Sequence, residues 1–205
     1  AVGMVKNMPK KTWQLLEQYL GKTRTSLARK KARLIFVDYD PDIQVSSPDF
    51  TTSYQLPNTR FEISNQANVF SRDRLDIGTR FFLEHLPVRE DAREIVDLGC
   101  GNGVLGIMAA DKMPEARIHF IDESYMAVES ARRNFLQAFD SQRQAVFHVG
   151  DGMDHYDLSD ADLVLCNPPF HQQHVVGDFI AQRMFKQSKK ALQPEGELWV
   201  IGNRH

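Results

Sequence analysis

The sequence is sparing in cysteine and has no long apolar run. Two cysteines, Cys100 and Cys166, among 205 residues cannot build a disulfide framework, and such sparing use favours a reducing cytoplasm. No stretch approaches the roughly 20 apolar residues that a membrane-spanning helix needs. With 42% hydrophobic and 25% charged residues, the chain can form one sizeable core. We therefore expect a globular protein without a membrane partner.

Acidic residues are nearly missing from the first 37 positions. The net charge of −2 is the balance of about +8 in residues 1–37 and about −10 in the rest. Glu17 is the single acid of that segment, against Lys6, Lys10, Lys11, Lys22, Arg24, Arg29, Lys30, Lys31 and Arg33. Such an unpaired basic segment predicts a polyanionic partner. The alternative is a solvated surface helix.

Recognisable metal ligands and nucleophile–base pairs are also missing. His171 and His174 have i, i+3 spacing in His-Gln-Gln-His, but two histidines without a third ligand make a poor zinc site. We interpret them as residues at the lip of a substrate site or as simply exposed. No Ser/His/Asp or Cys/His arrangement stands out, so we expect no metal.

From residue 70 onward, short apolar runs alternate with amphipathic segments. The predicted strands cover 95–98, 117–121, 145–149, 162–166 and 197–201, and the predicted helices cover 76–86, 104–111, 124–139 and 179–192. Repeated strand–helix units predict a doubly wound parallel α/β sheet. In the first helix, Ile77, Phe81 and Phe82 are expected to face inward.

Chain-breaking residues over 40–50 predict a boundary between two domains, residues 1–50 and residues 51–205. A helix over 12–20 and a strand over 32–39 are predicted in the first domain. The second domain opens with a possible hairpin over 54–63.

Polar residues stand where four predicted strands end: Asp97, Asp122, Asp151 and Asn167. Doubly wound sheets bind ligands beyond the carboxyl ends of their strands. Asp97 opens a glycine-rich turn that departs from the dinucleotide fingerprint GxGxxG, because Val104 stands where its third glycine belongs. An acid before the turn would also repel a pyrophosphate and suits a cationic amino group instead.

The other strand-end acids complete the description of a ligand. Asp122 stands where a carboxylate takes ribose hydroxyls, and Asp151 could accept from an adenine amine. Ribose, adenine and an ammonium together describe S-adenosyl-L-methionine. The predicted cofactor-binding residues are Phe70, Thr79, Asp97, Gly99, Cys100, Gly101, Asn102, Gly103, Asp122, Glu123, Asp151, Gly152 and Asn167. Phe70 and Thr79 belong to a segment that is either a lid or only a helix cap, with Asp73 or Asp76 as the capping group.

Asn167-Pro168-Pro169-Phe170 follows the apolar run 161–166. Two prolines lock the backbone and remove two N–H donors, which leaves carbonyl oxygens and one amide side chain facing outward. If Asn167 Oδ1 and the Pro168 carbonyl accept the N–H bonds of a base's exocyclic amine, its lone pair turns toward the methyl donor. Phe170 would stack on the base. We therefore predict these four as the catalytic residues; an ordinary Pro-Pro loop is the alternative.

Six segments resemble the small-domain methyltransferase family of bacterial ribosomal RNA guanine-N2 methyltransferases: Val69–Arg72, Leu75–Thr79, Val96–Gly103, Phe120–Ser124, Cys166–His174 and Gly196–His205. The resemblance implies a Rossmann-like class I fold that uses S-adenosyl-L-methionine to methylate a guanine N2 amine in 23S rRNA. It also implies RNA contacts from Arg29, Lys30, Lys31, Arg33, His171 and His174. Residues 1–50 resemble the tail of an RNA-binding domain, and the family pattern continues past residue 205, so we expect a fragment truncated at both ends.

Three alternatives stay open. A 16S rRNA guanine-N2 methyltransferase is the nearest. Methyltransferases of protein glutamine or DNA adenine usually carry Tyr where Phe170 stands, and lack the basic segment. A non-catalytic RNA-binding module would not need intact Asp97, Asp122 and Asn167.

Overall fold

The computed structural model describes residues 2–4, 9–44, 50–139, 143–169 and 174–202. The chain divides into two compact units, Ala1–Asp49 and Phe50–His205. Within the described ranges, no helix has the length and apolarity needed to cross a bilayer.

The first unit contains strand β1 (Val2–Met4), helix α1 (Lys10–Tyr19), and strands β2 (Thr23–Thr25) and β3 (Ala32–Val37). The strands form an antiparallel sheet in the order β1-β3-β2. Residues 26–31 join β2 to β3, and within this connection Lys30 and Lys31 form a turn with left-handed φ angles of 48° and 64°. Arg29 and Ala32 exchange backbone hydrogen bonds of 2.8 and 2.9 Å across it. This turn, the basic hairpin tip, therefore presents Arg29, Lys30 and Lys31 in sequence.

The second unit opens with a hairpin of β4 (Thr52–Gln55) and β5 (Glu62–Asn65), which pair antiparallel with Tyr54 opposite Ile63. The predicted hairpin is confirmed. It is followed by helix α2 (Ile77–Glu84).

A five-stranded parallel sheet forms the body of the second unit. Its strands are β6 (Glu94–Leu98), β7 (Arg117–Asp122), β8 (Ala145–Val149), β9 (Ala161–Cys166) and β10 (Leu192–Val200). The intervening helices are α3 (Val104–Lys112), α4 (Tyr125–Ala138) and α5 (His174–Ala191). The spatial order β10-β9-β6-β7-β8 reverses direction at β6, since the chain first builds outward to β8 and then returns to β9. The predicted doubly wound α/β fold is confirmed.

Buried apolar side chains cover both faces of this sheet. All six residues of β9 are buried. On one face, the fully buried Phe120 of β7 stacks on Phe147 at 5.1 Å and meets Phe135 of α4 edge-on at 5.5 Å. Apolar runs of this kind are typical of strands buried on both faces.

Three predicted details are wrong. In α2, Phe82 is buried, but Ile77 is 82% exposed and Phe81 is 55% exposed. The helix phase follows Thr79 and Phe82, which share a face at i, i+3 spacing. The last strand starts at Leu192 instead of residue 197, since Pro194-Glu195-Gly196 is absorbed as an irregularity between Leu192 and Glu197, and α5 starts five residues before the predicted position.

Gly106 lies where α3 packs closely against β7. An added Cβ would meet the Phe120 ring, lying 2.8 Å from Cζ, and would lie 3.0 Å from Ile118 Cγ2. Alanine gains about 1 kcal/mol over glycine in an open helix, but forcing atoms into a packed core costs about 1–3 kcal/mol. Because the aromatic neighbours hold Phe120 in place, we expect Gly106→Ala to lower the unfolding free energy by about 1–2 kcal/mol. Urea denaturation of the wild type and of Gly106→Ala measures this difference in unfolding free energy. The exposed Lys112→Ala of the same helix should change the unfolding free energy by less than about 0.5 kcal/mol, and a stabilised Gly106→Ala would contradict the packing argument.

Candidate active site

The carboxyl ends of β6, β7 and β9 open into one cavity of about 430 Å³. It lies where the strand order reverses, which is the binding position in doubly wound sheets. The sequence-predicted residues that line it are Phe70, Thr79, Asp97, Gly99, Cys100, Gly101, Asn102, Asp122, Glu123, Asp151, Gly152, Asn167, Pro168 and Pro169. Phe170, His171 and the side chain of His174 lie outside the described residues.

The glycine-rich turn between β6 and α3 uses left-handed backbone at Gly99, Gly101 and Gly103, with φ angles of 72°, 53° and 83°. A Cβ on Gly101 would meet no atom within 4 Å, so this glycine borders open space. Gly103 differs, since its Cβ would lie 2.9 Å from Ala131 Cβ of α4. Gly103 is not among the residues that line the cavity. Gly103 thus allows α3 to pack closely against α4, and its predicted contact with the cofactor stays a prediction.

Asp122 ties this turn to the start of α4. Its Oδ2 accepts from the Gly101 N–H and its Oδ1 from the Ser124 N–H, both at 2.9 Å. Ser124 is the predicted N-cap of α4, and its side chain accepts from Ala127 N. A carboxylate oxygen has two acceptor positions, so each oxygen of Asp122 can still accept from a ligand hydroxyl.

Asp97 is almost fully buried, with 1% exposure. Burial raises the pKa of its carboxyl to about 8; the Gly106 N–H, which donates to Oδ2 at 2.8 Å, opposes the shift, and the charge of Asp122 adds to it. A cationic group placed in the cavity beside Asp97 would favour the ionised form. The geometry thus suits an ammonium ligand.

Asn102 and the cysteines build the wall of the cavity. The Asn102 amide donates to Asn65 Oδ1 at 2.9 Å and to the Tyr54 hydroxyl at 3.2 Å, which anchors the turn to the β4–β5 hairpin. Burial raises the pKa of the Cys100 and Cys166 thiols. Both stay neutral and act as small apolar residues.

Two residues of α5 organise the loop after β8, and sequence reasoning missed both. Arg183 forms a bidentate ion pair with the Asp151 carboxylate. The Gln187 amide donates to the Asp151 carbonyl at 3.1 Å and accepts from Met153 N at 3.1 Å. Their i, i+4 spacing was visible in the sequence, but the loop that they bind was not. Asp151 therefore lines the cavity as an ion-paired carboxylate.

The corner after β9 brings Asn167 to the other side of the cavity. Pro168 is buried and Pro169 is exposed, and the preceding Cys166 carbonyl accepts from Ile201 N at 3.2 Å. The Asn167 amide donates from Nδ2 to Thr79 Oγ1 at 3.1 Å. The amide and the acids of the glycine-rich turn thus border one space. Among the described residues, no three His, Cys, Asp or Glu side chains are grouped to hold a metal ion.

Residues 60–205 match the methyltransferase small domain family, and residues 1–41 match the RLMG N-terminal domain. Over all 205 residues, the chain is 53% identical to the ribosomal RNA large subunit methyltransferase G of Ectopseudomonas mendocina and 52% identical to that of Pseudomonas aeruginosa. It covers 54% of each, so the chain spans about half the length of the curated relatives that it matches.

Solved structures show the same fold at low sequence identity. A T. thermophilus 16S rRNA N2 methyltransferase in complex with AdoMet and guanosine has a TM-score of 0.78 and 20% identity, over 98% of this chain and 55% of that one. A SAM-dependent methyltransferase from Agrobacterium tumefaciens has a TM-score of 0.55 and 19% identity, over 78% of this chain and 55% of that one. The fold is Rossmann-like, of the class I methyltransferase type. Because the family match covers well over half of the sequence, the chain belongs to the methyltransferase small domain family.

Proposed function

We propose that this chain transfers a methyl group from S-adenosyl-L-methionine to the exocyclic N2 amine of a guanine in ribosomal RNA, with 23S rRNA as the favoured substrate. One observation carries the proposal. Asn167, the acceptor for an amine, lines the same cavity as Asp97 and Asp122, the acceptors for an ammonium and a ribose.

The residues around the cavity fit this cofactor. Gly101 borders open space in which a side chain would stand, Asp122 keeps acceptor positions for the ribose hydroxyls, and Asp97 would be favoured in its ionised form by the ammonium. The 58% exposed Phe70 forms part of the wall. When bound, S-adenosyl-L-methionine supplies an electrophilic methyl group.

The corner supplies the rest of the chemistry through fixed dipoles. An exocyclic amine on a base is a poor nucleophile, since its lone pair is delocalised into the ring. Asn167 Oδ1 and the Pro168 carbonyl accept hydrogen bonds from the two N–H groups of this amine. This frees the lone pair of the nitrogen and stabilises the positive charge that develops on it. The nitrogen then loses one proton to water, so no side chain has to act as a strong base.

Two features support an RNA substrate. The large-subunit relatives are about half identical to this chain throughout its length, and the basic hairpin tip exposes Arg29, Lys30 and Lys31, as a phosphate-binding surface would. Arg33 is a weaker candidate, because it is half-buried with its guanidinium 5.7 Å from the Trp13 ring.

The proposal is tested by incubating the chain with radiolabelled S-adenosyl-L-methionine and protein-free 23S or 16S rRNA, followed by digestion to nucleosides. Labelled N2-methylguanosine from 23S rRNA is the expected product. Label confined to 16S rRNA would select the small-subunit alternative, whereas methylated adenine, or labelled protein when protein is offered, would overturn the proposal.

Asn167→Ala should lower kcat by about 10²–10³-fold, because it removes a preorganised acceptor from the developing charge. The dissociation constant of the cofactor, measured by calorimetry, should change less than about twofold, since the cofactor acceptors remain. Asp122→Asn is the matched control and should weaken cofactor binding instead. An equal loss of turnover and cofactor affinity in Asn167→Ala would assign Asn167 to the fold alone.

Asp97 should make stability depend on pH. Its pKa is raised from 3.8 to about 8 in the folded chain, so the folded state binds the extra proton between these values and stability falls as pH rises through that window. We expect the Tm of the wild type to fall relative to that of Asp97→Asn between about pH 5 and pH 8. Replacing the exposed Asp160 with Asn should leave the change of Tm with pH as it is in the wild type. Added S-adenosyl-L-methionine should make the Tm of the wild type depend less on pH. Parallel pH profiles of wild type and Asp97→Asn would contradict the assignment.

The basic hairpin tip should control the salt dependence of RNA binding. Each phosphate contact contributes about 0.7–0.9 to the slope of log Kd against log salt concentration. Replacing Arg29, Lys30 and Lys31 with Gln removes three such contacts, so this slope should fall by about 2–3. The control removes three exposed lysines of α5, Lys186, Lys189 and Lys190, and should leave the slope nearly unchanged. Equal slopes for the wild type and the hairpin variant would make these cations ordinary surface residues.

A further inference from the structure

A directed chain of hydrogen bonds reaches Asn167 from the first turn of α2. Asp76 caps this helix, and its Oδ2 accepts from Thr79 N at 2.8 Å and from Thr79 Oγ1 at 3.3 Å. Thr79 Oγ1 in turn accepts from Asn167 Nδ2 at 3.1 Å. All three residues line the cavity, and Thr79 is only 9% exposed.

The observed contacts give this chain one direction. A threonine hydroxyl has a single proton, and an ionised carboxylate can only accept. The Thr79 hydroxyl therefore donates its hydrogen bond to Asp76 and accepts one from the Asn167 amide. A flipped Asn167 amide would place Oδ1 against Thr79 Oγ1, and the hydroxyl proton could turn to Oδ1 only by giving up its hydrogen bond to Asp76.

We propose that Asp76 and Thr79 are positioning residues that hold the Asn167 amide with Nδ2 toward α2, so that Oδ1 is left for the substrate amine. The inference rests on the proposed function of Asn167. A free amide samples both orientations, and the wrong one would offer N–H donors to an amine that is itself a donor. Gly78 belongs to the same arrangement, because a Cβ there would lie 3.0 Å from Asp76 Oδ2.

Thr79 can be altered without removing the helix cap. The backbone N–H that Asp76 caps is retained in any substitution except proline, so Thr79→Val removes only the hydroxyl from a side chain of nearly the same shape. Thr79→Ser keeps the hydroxyl and loses a methyl group. Thr59→Val is the matched control: Thr59 Oγ1 donates to the Leu56 carbonyl in the β4–β5 turn, and its loss should leave kcat unchanged.

The kinetic arm separates positioning of Asn167 from contact with the cofactor. Thr79→Val should lower kcat about 10- to 100-fold through misplacement of the acceptor, Thr79→Ser should restore most of it, and the cofactor dissociation constant should change little. In an Asn167→Ala background, Thr79→Val should have almost no further effect. A raised cofactor dissociation constant, with a full loss in both backgrounds, would overturn the proposal and make Thr79 a cofactor contact.

The spectroscopic arm needs no methyl transfer and thus separates this inference from the proposed function. In ¹⁵N-edited NMR spectra of the folded chain, Asn167→Ala identifies the side-chain amide signals of Asn167. These signals should shift in Thr79→Val and remain near their wild-type positions in Thr79→Ser and Thr59→Val. Unshifted signals in Thr79→Val would overturn the hydrogen-bond chain, whatever the substrate; shifted signals without rRNA methylation would refute the proposed function alone.

Discussion

The site depends on the parallel pairing of β6 with β9, two strands that are far apart in the chain. Asp97 pairs with Leu165 and Leu98 with Cys166, so the glycine-rich turn and the Asn-Pro-Pro corner leave the sheet at the same level. A slip of one residue would reverse the face of every side chain in a strand. Because β9 is buried on both faces, its register is fixed by packing, and the two halves of the cavity meet as a consequence.

The electrostatics of the cavity distinguish it from a phosphate-binding loop. In dinucleotide-binding folds, the backbone donors of the glycine-rich turn face a pyrophosphate. Here the Gly101 N–H donates to Asp122 and the Gly106 N–H donates to Asp97. The donors that could have bound an anion instead hold the carboxyl groups of Asp122 and Asp97 in place at the cavity. This arrangement supports the proposed binding of hydroxyl and ammonium groups in place of an anion.

The sequence was sufficient for features that local chemistry decides. Strand ends, the glycine-rich turn, the Ser124 cap and the rigid corner all follow from residues close to one another in the chain. Features that depend on tertiary contacts could not be predicted from the sequence. The phase of α2 is set by Thr79 facing Asn167, Gly103 is required by Ala131 of α4, and the Asp151–Arg183 ion pair joins a loop to a helix 32 residues later.

Preorganisation accounts for a corner that contains no titratable side chain. Asn167 stands between a strand residue whose carbonyl is paired with Ile201 and the buried Pro168, and its amide is held by Thr79. In the proposed reaction, neutral dipoles fixed in this way need no reorganisation when charge develops on the substrate nitrogen. They also keep the same charge across the physiological pH range. Asp97 and Asp122 stand across the cavity, next to the glycine-rich turn, so the proposed reaction would separate recognition of the cofactor's charge from orientation of the substrate amine.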